Sequence, residues 1–79
     1  MKYVAEIRRL LAERGDGKTI CPSEVARSLG GEEWRELMEP VRAAAFRMAD
    51  QGEIEVTQGG RVVDGRDAKG PIRLRWRAK

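Results

Sequence analysis

Sixteen lysines and arginines face thirteen aspartates and glutamates in this 79-residue chain, a net charge of +3, and these cations are the side chains best suited to chemistry. Guanidinium and ammonium groups grip phosphate oxygens, a contact that positions a protein on nucleic acid without reading its bases. Their distribution is uneven. From Gly52 onward, Arg61, Arg66, Lys69, Arg73, Arg75, Arg77 and Lys79 oppose only Glu53, Glu55, Asp64 and Asp67. Between Gly31 and Gln51 the sign reverses, with Arg35, Arg42 and Arg47 against Glu32, Glu33, Glu36, Glu39 and Asp50. Phosphate contacts are therefore expected mainly in the C-terminal part of the chain.

The same inventory excludes most other chemistry. The chain has no histidine, and so lacks the commonest acid-base group and the commonest metal ligand. One cysteine can build neither a zinc site nor an internal disulfide. That cysteine, Cys21, stands where a helix amino end would lower a thiol pKa, but with no base to serve it a small capping residue is the stronger reading. No catalytic residue, cofactor or metal is expected. No stretch approaches the ~20 apolar residues of a membrane helix. A lone cysteine points to a reducing interior, and the expected location is the cytoplasm.

Elements that could present these cations are legible as periodicities. Tyr3, Val4, Ile7, Leu10 and Leu11 recur at helical spacing up to a glycine turn at Gly15. Lys18 to Ile20 offers a very short extended segment. Pro22 suits the first position of a second helix, with Cys21 as cap, Glu24 completing a capping-box layout, and Val25, Ala26 and Leu29 facing inward. Gly30-Gly31 makes the turn to a third helix from near Glu32 to Gln51, in which Trp34, Leu37, Met38, Val41, Ala45 and Met48 hold one phase. Pro40 lies inside it. Because the phase survives the proline, one kinked helix is expected rather than a break at Glu39.

From Glu53 the period becomes two. Ile54 and Val56 are answered by Ile72, Leu74 and Trp76, and the loop between them, Gly59 to Gly70, holds four glycines. The expected fold is α+β: a single winged helix-turn-helix domain over residues 1–79, with three helices and a small antiparallel sheet of two or three strands. The helix-turn-helix spans about 22–51 and the wing about 53–77, with Lys18 to Ile20 as the candidate third strand. Trp34 and Trp76, both in phase with apolar faces, are assigned to the core.

Several charges have local explanations. Arg35 with Glu39 and Glu39 with Arg42 are spaced as helix surface pairs. If Ile54 faces Trp76 and Val56 faces Leu74, then Glu55 meets Arg75 and Glu53 meets Arg77. Arg61, Arg66, Lys69 and Arg73 remain as the leading phosphate contacts, on or beside a mobile glycine loop, with Arg47, Arg42 and Arg35 as helix candidates. Phe46 lies off the apolar stripe. It either packs beneath the wing on Val62 or Val63, or forms a partner interface.

The runs ICPSEVARSLGG, WRELMEPVRAAAFRMADQGEIEVTQGGRVVD and GPIRLR resemble the bacterial domain-of-unknown-function family DUF3253, over Ile20 to Arg75. The resemblance implies a small winged-helix protein; Phe46 departs from a polar or basic residue in the family pattern. The expected function is non-catalytic binding of double-stranded DNA. The alternative is a protein-interaction or homodimerisation module in which the third helix and Phe46 form the contact, without DNA.

Overall fold

The computed structural model describes residues 2–77 and is α+β, with helices packed on a small antiparallel sheet. Helix α1 (Lys2–Arg14) turns Ile7 and Leu11 fully inward, and Gly15 follows at φ 99°, a left-handed conformation that suits glycine. Helix α2 (Pro22–Gly30) starts at the proline, whose missing N–H would have had no partner there. The Cys21 backbone N–H donates to Glu24 Oε2 at 2.7 Å, and the Ser23 hydroxyl donates to Cys21 Sγ at 3.0 Å. Burial pushes the Glu24 carboxyl up, yet the Cys21 N–H, Arg14 and, through space, Arg73 outweigh it and hold it below the usual carboxylate range.

The expected third helix is not one kinked element. A 3-10 segment (Gly31–Leu37), interrupted at Glu33 (φ −98°, ψ 23°), precedes helix α3 (Met38–Asp50). The break falls ahead of Pro40, so the proline sits in the first turn of α3, where backbone N–H groups have no intrahelical partner. Its ring therefore disrupts nothing. The apolar phase ran on through the break because Trp34, Leu37 and Met38 pack on the same core that Val41, Ala44, Ala45 and Met48 enter from α3. Gly31, at φ 56°, makes the turn out of α2.

Strand β1 (Ile54–Gln58) is central, flanked by β2 (Arg61–Val62) and β3 (Arg73–Trp76), both antiparallel to it. Ile54 pairs with Trp76, Glu55 with Arg75 and Val56 with Leu74, one of the registers that the alternation allows and the one under which Glu55 meets Arg75. The third strand differs from expectation. It is β2, inside the glycine loop, whereas Lys18 to Ile20 contributes one bridge, Ile20 with Leu74, closed by two backbone hydrogen bonds of 2.8 Å. Ile20, Ile54, Val56, Ile72 and Leu74 close the core from the sheet side. Trp34 and Trp76 are only half-buried at its rim, a correction to their assignment to its interior. A tryptophan is too large for so thin a core to cover on both faces.

Glu6 joins the first two helices. It receives Arg9 Nε at 2.9 Å and the hydroxyl of Ser28 on α2. The Arg9 hydrogen bond first, then that of Ser28, holds its carboxyl down at about 2 from an ordinary 4.5. A folded-state pKa below the unfolded one gives stability that is complete above about 4.5 and is lost as pH falls toward 2. Glu6→Gln should therefore lower the melting temperature by a few degrees at pH 6 and leave it unchanged near pH 2. Thermal melts of both proteins across that range check it.

Candidate nucleic-acid interface

The arginines divide into those with partners and those without. Arg8 holds Glu53 with two hydrogen bonds of 2.6 and 2.9 Å, Arg9 holds Glu6 and Glu13, and Arg14 holds Glu24. Arg75 meets Glu55 at 2.9 Å, as the strand register requires. The Arg77 backbone N–H donates to the Glu53 carbonyl at 3.2 Å, so the two residues do face each other, but their side chains form no ion pair. The Glu53 carboxylate is taken by Arg8, which holds it below the usual range, while the Arg77 guanidinium lies over Gly52 at the end of α3. A positive head there complements the carbonyl end of the helix.

Two of the four leading phosphate candidates are engaged elsewhere. Arg66 forms a double hydrogen bond of 3.0 and 2.7 Å with Asp50 on α3, and this bond holds the Asp50 carboxyl below its ordinary range. Arg73 donates to Thr19 through Nε, 3.0 Å from Oγ1, and through Nη2, 3.3 Å from the carbonyl. Arg14 donates to that same carbonyl at 2.8 Å, so the two arginines clamp the segment leading into the Ile20 bridge. Arg61 and Lys69 are exposed and have no salt bridge among the described residues.

The anticipated surface pairs of Arg35 with Glu39 and of Glu39 with Arg42 do not form. Among the described residues Arg35, Arg42 and Arg47 make no salt bridge. Arg35 instead lies over Trp34, and Arg42 beside Phe46 at 5.6 Å from the ring centroid. The helix break also moves charge. Glu32, Glu33 and Glu36 belong to the 3-10 segment, so the outward line of α3 is Glu39, Ala43, Arg47 and Asp50, all exposed, with Arg42 half-buried alongside. Because Arg66 already neutralises Asp50, the acidic character attributed to this helix from the sequence does not belong to its exposed face.

The Gly59 to Gly70 loop is tied down at several points rather than free. Gln58 Nε2 donates to the carbonyls of Lys69 and Pro71, the latter at 3.2 Å, and Val63 N–H donates to Val56 O at 2.9 Å. A turn follows in which Asp67 and Ala68 N–H groups donate to Asp64 O at 3.0 and 3.1 Å. Phe46 is half-buried beneath this loop against buried Gly65, with the Arg66 guanidinium 5.4 Å from its centroid. Val62 and Val63, with Phe46 and Ala49, wall a cleft of about 310 Å³ under the Arg66–Asp50 bridge. Among the described residues Val62, 55% exposed, is the one large hydrophobic side chain open to solvent.

Sequence reasoning missed the Asp50–Arg66 bridge and the role of Arg27, which shares the Trp34 ring with Arg35. No local spacing announces a pair sixteen positions apart. No helix among the described residues is long and apolar enough to cross a membrane.

A family model described as "Protein of unknown function (DUF3253)" matches residues 2–77. The chain belongs to that family. No curated protein matches it.

Proposed function

We propose that this DUF3253 protein is a winged helix-turn-helix domain that binds duplex DNA without catalysis, in the cytoplasm. In this reading residues 1–79 act as one unit, α2 and α3 form the helix-turn-helix, the 3-10 segment is its turn, and the Gly59 to Gly70 loop with β2 is the wing. One observation carries it. Among the described residues Arg42, Arg47, Arg61 and Lys69, on α3 and the wing, have no salt bridge, while the nearby Arg66 is spent locking those two elements together. Uncommitted cations on a fixed frame are what phosphate contact needs, because little side-chain and loop ordering then remains to be done on binding.

Helix α3 would approach the major groove with Arg47 and Ala43 outward, and the wing would follow the adjacent backbone through Arg61 and Lys69. The three or four phosphates neutralised from α3 and the wing should by themselves make log affinity for a random duplex fall against log salt with a slope at least as steep as about −3 to −4. Fluorescence anisotropy at several salt concentrations measures it. Absence of binding in low salt, or binding indifferent to salt, overturns the reading. A homodimer through Phe46 is less favoured, since the ring is already engaged within the chain by Gly65 and Arg66.

A further inference from the structure

Trp34 carries two guanidiniums. Arg27 from α2 lies 4.4 Å from its ring centroid, and Arg35 from the 3-10 segment lies 4.6 Å away. The two charges are thus held within about 9 Å of one another. Like charges that close repel. Both arginines are exposed, and neither has a salt bridge or a side-chain hydrogen bond among the described residues. They stand apart from Arg8, Arg9, Arg14, Arg66, Arg73 and Arg75, each of which is bonded. Stacking fixes a guanidinium by its face and leaves its in-plane N–H donors open for a planar, two-point acceptor.

We propose that Arg27 and Arg35, held on Trp34, form a second phosphate clamp that takes the phosphodiester backbone of the duplex at the amino end of α3. This rests on the DNA-binding reading above. The wing docks at the other end of α3, through Asp50. The helix has 13 residues and is therefore about 20 Å long, against a major groove about 12 Å wide, so cations at its two ends can reach the two phosphate rows that border the groove. Exposed Glu32, Glu33 and Glu36 lie on the same segment and oppose an incoming phosphate.

The double variant Arg27→Gln with Arg35→Gln removes both charges and their contacts with the Trp34 ring without breaking a salt bridge or a side-chain hydrogen bond among the described residues. Its affinity for a random duplex in low salt should fall about ten-fold or more, and its salt slope should become shallower by about two. Tryptophan emission of the unaltered protein should change on adding either the duplex or inorganic pyrophosphate, and the change should be absent from Trp34→Phe. If the protein binds duplex but the double variant keeps its affinity and slope, the clamp is overturned and the DNA reading stands. If no duplex binds while pyrophosphate shifts the Trp34 emission and the double variant loses that shift, the anion clamp stands and the DNA reading falls. Silence in both titrations overturns both.

Discussion

Reversing Arg42 and Arg47 together to glutamate should reduce affinity for any duplex by roughly 100-fold or more in low salt, through loss of two phosphate contacts and gain of two repulsions. The melting temperature should hardly move. Neither arginine has a salt bridge among the described residues, Arg47 is exposed, and the half-buried Arg42 lies over the Phe46 ring 5.6 Å from its centroid, a cation–π contact worth about 1 kcal/mol or less. Surface charges without partners contribute little to folding. Arg66→Glu provides the contrast. It replaces a bridge to Asp50 with two facing carboxylates and loosens the Gly59 to Gly70 loop, so its loss of DNA affinity should come with a lower melting temperature. Anisotropy and thermal melts on the same samples separate a phosphate contact from a support. Equal behaviour of the two variants in both assays would remove the distinction drawn between them.

That distinction was only half legible in the sequence. The period-two alternation of Ile54 and Val56 against Ile72, Leu74 and Trp76 limited the strand register to even shifts, because a strand has only two faces, and the shift that forms is the one that brings Glu55 to Arg75. The same logic failed one step further along. Glu53 lies beyond β1, and Arg8 reaches it from α1, forty-five residues earlier in the chain. Alternation inside a hairpin carries no information about a helix packed across its end.

The third helix shows a different failure. Amphipathic phase measures which side chains meet the core, and it continued through Glu33 and Leu37 because a 3-10 segment can bury a residue on the same side as the helix it precedes. Where hydrogen bonding changes from one helix type to the other is invisible to that measure. The error had a consequence for the candidate site: three glutamates were credited to the wrong element. Arg61 and Lys69 have no salt bridge among the described residues, whereas Arg66 and Arg73 are engaged by partners far away in sequence, Asp50 and Thr19.

Phe46→Ala should lower stability by about 2 kcal/mol, roughly half the cost of deleting a fully buried phenylalanine. For a domain of this size, whose total stability is on the order of 5 kcal/mol, that is a large fraction, equivalent to a fall in melting temperature of about 10 °C. Sedimentation should show no change in oligomeric state. The reason lies in Gly65, which is buried and does not need its glycine for backbone conformation. It needs it for space. A Cβ placed there would lie 2.9 Å from Phe46 Cδ1 and closer still to Cε1, so Gly65→Ala must push the ring or the wing aside. Because the two sites share one contact, Gly65→Ala combined with Phe46→Leu should cost less than the two changes added, by about 1 kcal/mol in a double-mutant cycle. Strict additivity would mean that the ring does not rest on Gly65. An unchanged melting temperature in Phe46→Ala, together with an altered sedimentation coefficient, would instead move Phe46 to an interface and turn the wing contact from a scaffold for DNA binding into a surface for another chain.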